Sequence, residues 1–109
     1  EAGTGHATIA VGVAVGRPGD LTCPLVDRYV DDVCEVGDDD IAEAVVRLFE
    51  SAKLVVEGAG AVGAAALLRG IVDVGGSGDV VVVLSGGNID PGVFGEAIAH
   101  VHHHLVELG

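Results

Sequence analysis

The stretch Val80-Val81-Val82-Val83-Leu84-Ser85-Gly86-Gly87-Asn88-Ile89-Asp90 decides how this chain of 109 residues is read. Residues 80–84 are branched and apolar with no alternation, the pattern of a strand covered on both faces, as in a parallel sheet. The run stops at Ser85-Gly86-Gly87-Asn88, where small residues let the backbone approach something closely. Asp90-Pro91 then reads as a helix N-cap followed by an N1 proline. In open α/β sheets ligands bind outside the carboxyl ends of the strands, so a ligand contact is expected at Ser85.

Working outward, residues 53–57 (Lys-Leu-Val-Val-Glu) read as a second buried strand. Residues 58–68 form a helix of very small residues, and Gly70 suits the C′ position that ends it. A loop over 71–78 leads back to Val80. Strand, helix and strand make a βαβ unit, so the two strands should be parallel with a right-handed crossover. Residues 33–36 supply a third, shorter strand. Between it and Lys53 lies the clearest helix, with Ile41, Val45, Leu48 and Ala52 on one stripe and Ala44 and Phe49 widening it. Asp38, Asp39 and Asp40 fall in its first turn, where they favour the helix dipole. Consecutive helical residues point in different directions, so the three read as a solvated turn and not as a metal cluster.

Upstream, Thr22 is expected to cap a short helix carrying Pro24, Leu25, Val26, Tyr29 and Val30, which Asp31-Asp32 breaks. Arg17-Pro18-Gly19-Asp20 is a turn by composition. Residues 8–15 are open to reading as helix or strand, and residues 1–6 as an irregular lead-in with an exposed His6. Downstream, residues 91–107 form a last helix with Phe94, Ile98, Val101, Leu105 and Leu108 inward. His100 and His104 have i, i+4 spacing, but without a nearby carboxylate or thiolate the His102-His103-His104 run reads as exposed side chains.

The predicted fold class is α/β, with short parallel strands and flanking helices, as a single incomplete domain over residues 1–109. The chain starts at Glu1 and holds no Met, which makes a piece of a longer chain the expectation. A net charge of −12 excludes a nucleic-acid backbone as partner, since neutralising phosphates takes clusters of Lys and Arg. Abundant Asp beside a single lysine, Lys53, resembles salt-adapted cytoplasmic proteins; an ordinary acidic protein is the alternative. Cys23 and Cys34 lack metal-ligand spacing and are expected as buried free thiols. No apolar run approaches the ~20 residues of a membrane span and no signal peptide is visible, so the expected setting is cytoplasmic, with no membrane partner.

The strand, Ser85-Gly86-Gly87-Asn88, Ile89 and Asp90 resemble the last strand of the threonine dehydratase and serine racemase group. These are pyridoxal-phosphate enzymes of the tryptophan-synthase-β-like fold (fold type II). Thr8-Ile9-Ala10, Arg17-Pro18-Gly19-Asp20-Leu21-Thr22, Val30-Asp31-Asp32-Val33 and Lys53-Leu54-Val55-Val56-Glu57-Gly58-Ala59-Gly60-Ala61 recur in family order. The resemblance covers roughly residues 7–90, and the set is more specific than any one motif. One departure is Val11, where the family usually has Asp.

The resemblance implies a site for pyridoxal phosphate, an electron sink for carbanions beside a substrate amine. It gives Ser85 the role of hydrogen-bonding the pyridine nitrogen, with Gly86 and Gly87 making room for the ring. A hydroxyl there leaves a weaker sink than an Asp would, which fits β-elimination. Glu57 and Gly58 face the cofactor side by the same resemblance; structural capping of the 58–68 helix is the other reading of Glu57. The family's cofactor-bonding lysine lies in Ser-x-Lys-x-Arg-Gly, and its phosphate in a loop of consecutive glycines. Neither occurs here. Lys53 does not match the motif, and Gly75-Gly76-Ser77-Gly78 precedes a strand where the phosphate site follows one. The chain is therefore expected to carry the ring side of a threonine or serine ammonia-lyase site, with a small amino acid as the parent's substrate. It is not expected to be active alone, and its partners are the missing half or itself.

Two alternatives remain. Gly58-x-Gly60-x-x-Gly63 is a literal G-x-G-x-x-G after a strand, the dinucleotide pattern, opposed by the carboxylate of Glu57 and by Ser85 where a ribose-binding acid is wanted. The other is an inactive structural remnant.

Overall fold

The computed structural model describes residues 8–10 and 19–108. The readings made for residues 1–7 and 11–18, among them His6, Val11 and Arg17-Pro18, lie outside the described residues, as do the side chains of His104, Leu105 and Leu108. The described elements are α1 (Thr22–Tyr29), α2 (Asp38–Arg47), a π-helical turn (Leu48–Ala52), α3 (Gly58–Arg69) and α4 (Pro91–Leu108).

Helix α2 is the centre of the core. Ile41, Ala44 and Val45 face α3, while Ala42 and Val46 face Ala97 of α4. Its three leading aspartates diverge as helix geometry requires. Asp38 accepts from the Thr8 hydroxyl, Asp39 meets His100 Nε2 at 3.0 Å, and Asp40 meets Arg69 Nε at 3.7 Å. Among the described residues no group of three or more His, Cys, Asp or Glu side chains is placed to hold a metal ion.

The expected stripe on this helix holds through Val45 and then slips. Residues 48–52 widen into a π turn, and Leu48 O accepts from the backbone N–H of both Lys53 and Leu54. Lys53 closes the turn with φ 59°, left-handed and rare for a residue with a Cβ. The wider turn rotates the register, so Ala52 is exposed instead of lining the core. Phe49 is carried to the edge of Phe94 of α4, with ring centroids 5.2 Å apart at 73°.

Helix α3 buries Gly58, Gly60, Ala61, Ala64, Ala65 and Ala66, small residues that let its axis come close to α2. It ends as expected. Gly70 has φ 72°, its N–H bonds Leu67 O, and Ile71 N–H reaches back to Ala66 O, each at 3.1 Å. Helix α4 also starts as read: Asp90 Oδ1 accepts from Gly92 and Val93 N–H at 2.8 and 3.2 Å, with Pro91 first in the helix. Phe94, Ile98 and Val101 are half-buried, and among the described side chains of α4 the most buried is Ala97 at 4 %, which lies off the expected stripe.

The apolar segments correct several expectations. Among the described residues no strand is formed at 33–36, 53–57 or 80–84. Residues 82, 84 and 86 are half-buried while Val81, Val83 and Ser85 are exposed, so the run is covered on one face only, by α3. Val81 and Val83 are 86 % and 77 % exposed, and Leu54 and Val55 are exposed where a buried strand was expected. Segments 34–36 and 80–83 stand across an open apolar groove of about 390 Å³ floored by Val62, Gly63 and Ala66 of α3, with no ladder joining them. Parallel strands are ordinarily covered on both faces, and among the described residues α3 covers one.

Three smaller readings also change. Thr22 lies inside α1 and does not cap it; the N-cap residue is Leu21, and Thr22 Oγ1 donates instead to Gly19 O at 3.3 Å. Helix α1 has no buried residue, so Leu25, Val26, Tyr29 and Val30 are exposed, with Arg28 lying 5.2 Å over the Tyr29 ring. Cys23 and Cys34 are free, as read, but exposed: α1 has no buried residue, and in segment 33–36 it is Val36 that packs against the core. No described helix is long and apolar enough to cross a membrane.

Candidate functional site

Segment 53–57 and the residues after Leu84 meet at one point, where Glu57 N–H donates to Gly86 O at 2.9 Å. Glu57 is also the N-cap residue of α3, in extended conformation, and its carbonyl accepts the first helical bond from Ala61 at 3.1 Å. Its carboxylate makes no capping bond, which removes the structural-cap reading. That side chain instead lies over Gly86, where any Cβ would overlap Glu57 Oε1. Gly87 is closed in a different way: a Cβ there would stand 2.8 Å from the carbonyl oxygen of Val55. Gly87 is thus required by close approach of backbone, whereas at Gly86 the neighbour is the mobile end of the Glu57 side chain.

Ser85 sits immediately before this junction and is exposed on the face opposite α3. Of the expected site residues, Glu57 and Gly86 are therefore in contact, Gly87 lies against the Val55 carbonyl, and Ser85, next in the chain, is exposed. Gly58 is not part of that cluster. It is buried against Ile9, whose carbonyl oxygen occupies the place of its missing Cβ.

The remaining glycines of the G-x-G-x-x-G pattern are also absorbed by packing. A Cβ on Gly60 would lie 3.0 Å from Gly86 N and O and from Val56 Cγ1, and one on Gly63 would lie 3.1 Å from Val82 Cγ1. All three glycines lie within the helix; Gly58 and Gly60 are buried against protein atoms, so their small size is explained without a dinucleotide, while Gly63 is exposed beside Val82. Lys53 stands at the other end of segment 53–57 from Glu57, and its Nζ donates to Glu50 O at 2.7 Å.

A feature missed in the sequence lies on α4. His100 Nε2 meets Asp39 at 3.0 Å and His102 Nε2 meets Glu50 Oε1 at 3.2 Å. These carboxylates come from α2 and the π turn, far away in sequence. Only the helical phase of Asp39, Glu50, His100 and His102 hinted at the pairing.

The model for the family of pyridoxal-phosphate dependent enzymes matches residues 1–86, most of the chain. The chain belongs to this family. L-threonine ammonia-lyase of Thermotoga maritima is 54 % identical over 86 residues, and the catabolic L-threonine dehydratase TdcB of Escherichia coli K12 is 44 % identical over 84. These alignments cover 79 % and 76 % of this chain but 21 % and 26 % of those proteins, so the chain spans about a quarter or less of their length. Among solved structures, maize serine racemase superposes with a TM-score of 0.72 at 36 % identity, over 92 % of this chain and 32 % of that one. A threonine deaminase from T.th. gives 0.68 at 34 %, over 77 % and 28 %. The pyridoxal-phosphate dependent fold is thereby shared, although the segments that run beside α3 do not pair here as strands.

The residues present fit one side of pyridoxal phosphate. Ser85 offers a hydroxyl, able to donate or accept, beside glycines that add no bulk to the turn.

Proposed function

We propose that this chain supplies the ring-facing part of the cofactor site of a pyridoxal-phosphate dependent threonine or serine ammonia-lyase, as a C-terminal portion of its catalytic domain. The observation that carries the reading is the exposed Ser85 hydroxyl at the end of the valine run, beside two glycines whose Cβ positions are filled by Glu57 and the Val55 carbonyl. Likeness to threonine ammonia-lyases over the residues that build this junction supports it. When bound, the cofactor withdraws electrons from the carbon next to the substrate amine. Ser85 would hold the ring nitrogen by a neutral hydrogen bond, and the glycine pair would keep side chains out of the ring's path. In the whole domain, segments 33–36, 53–57 and 80–84 are proposed as parallel strands whose open faces the remaining residues cover.

The test is a graft. Residues 7–90 replace the matching segment of the Thermotoga maritima enzyme, and release of the 2-oxo acid from L-threonine is followed. The graft should deaminate threonine, and Ser85→Ala within it should shift the cofactor's absorption and lower kcat by roughly tenfold or more, as for loss of a transition-state hydrogen bond. A graft that binds cofactor with Ser85→Ala silent in both readouts would overturn the role of Ser85. The 109-residue chain by itself, given pyridoxal phosphate, should release no 2-oxo acid above a blank.

A further inference from the structure

We propose that Glu57 is a positioning residue for this site, acting through Gly86: its carboxylate is a wedge that sets the turn and so aims Ser85 outward. The purpose rests on the cofactor reading above; the geometry does not.

Gly86 is clasped from several directions by the start of α3. Its carbonyl receives the Glu57 N–H at 2.9 Å. The space where its side chain would stand is taken by the Glu57 carboxylate. Gly60, a turn further along the helix, presses close enough that even a methyl group would reach 3.0 Å from Gly86 N and O. A short carboxylate such as Asp at a helix N-cap bonds the free N–H groups of the first turn, a geometry that the longer Glu does not favour. Glu57 makes no capping bond, and its carboxylate accepts no hydrogen bond among the described residues. Its placement over Gly86 is what its orientation achieves.

The consequence for Ser85 follows from chain geometry. Successive side chains in an extended segment point to opposite faces. Val82, Leu84 and Gly86 are half-buried on the α3 side, and Val81, Val83 and Ser85 are exposed on the other. Fixing the rotation of Gly86 therefore fixes that of Ser85. Nothing else holds Ser85 from its own side among the described residues, since that face is open. A wedge works by size, so Gln should replace Glu57 and Ala should not.

The experiment uses the 109-residue chain with Gly86→Ala, Glu57→Ala, Glu57→Gln, and the double variant Gly86→Ala with Glu57→Ala. Exchange of the residue 57 amide, the donor to Gly86 O, is read by NMR. Gly86→Ala alone should speed that exchange about tenfold by opening the junction locally. Adding Glu57→Ala should cancel most of the increase, because the colliding carboxylate is gone; neighbouring residues couple in this non-additive way. Glu57→Gln should leave exchange within about twofold of the parent chain, on the same local-opening scale. Additive effects, or Glu57→Gln behaving as Glu57→Ala, would overturn the wedge.

A second arm uses the graft. Glu57→Ala should move the cofactor's absorption in the same direction as Ser85→Ala, and Glu57→Gln should restore it. Coupled exchange with an unmoved absorption would reduce Glu57 to packing and overturn its positioning role. A graft that takes up no cofactor overturns the cofactor reading itself, while the coupling of residues 57 and 86 is still decided by exchange.

Discussion

Helices α2, α3 and α4 and the valine segments beside them are built from similar residues and end in opposite states. Val45 on α2 is 0 % exposed, while Val83 in the 80–84 run is 77 % exposed. Both are valines in apolar stretches. The difference lies in what each element can finish by itself. A helix satisfies its own backbone and needs a partner for one stripe, which α2, α3 and α4 provide for each other through alanines and glycines. A buried strand needs partners on two edges and two faces, and here it finds α3 on one face. Apolar character therefore reports what an element requires, and the neighbours decide whether it is met.

The largest effect should separate the two halves directly. Val45→Asp puts a charge into a filled core and should destabilise by about 3 kcal/mol or more, enough to unfold a marginal chain. Val83→Asp, on the open face, should change stability by about 0.5 kcal/mol or less. Urea midpoints of the two variants test this, and equal losses would show that the valine face is covered after all.

A salt series should come next. Seventeen carboxylates oppose five Lys and Arg, and their repulsion is screened within about 10 Å at 0.1 M salt and about 3 Å at 1 M. The chain should be loosened or associating at low salt and more compact in molar salt, followed by circular dichroism and sedimentation. A monomer with a sharp, salt-independent transition would mean that the helical half stabilises the whole chain alone.

Within the helical half, Asp90→Ala removes the acceptor for Gly92 and Val93 N–H. It should cost about 1 kcal/mol and fray the start of α4, where Phe94 meets Phe49. Thermal unfolding against Asp90→Asn, which keeps a capping oxygen, isolates the cap. The smallest effect belongs to the His100 and Asp39 pair, whose side chains are 56 % and 90 % exposed. His100→Ala should shift stability by about 0.5 kcal/mol or less, and less still in molar salt.

What could be read in the sequence was local. Asp90-Pro91 and Gly70 mark helix ends because capping chemistry needs only neighbouring residues, and both do so in the structure. The stripe of α2 was legible through Val45. It failed at Ala52 because a π turn depends on Lys53 adopting φ 59° and on Phe49 docking against Phe94, neither of which leaves a periodic trace. For the site, Glu57 and the Gly86-Gly87 pair were named from resemblance and are brought together by a bond across 29 positions of chain, 86 minus 57. Gly58, named with them, packs against Ile9. Sequence spacing could not distinguish these glycines, since each tolerates the same close approach.

The placing of Tyr29 decides how this molecule can be watched. With no tryptophan in the chain, its ultraviolet emission comes from this one phenol, on a helix that has no buried residue. The ring is 66 % exposed beneath Arg28, remote in kind from the alanine and valine core. Unfolding of α2, α3 and α4 would therefore pass almost unseen in fluorescence, and a flat trace would say nothing about whether the core had melted.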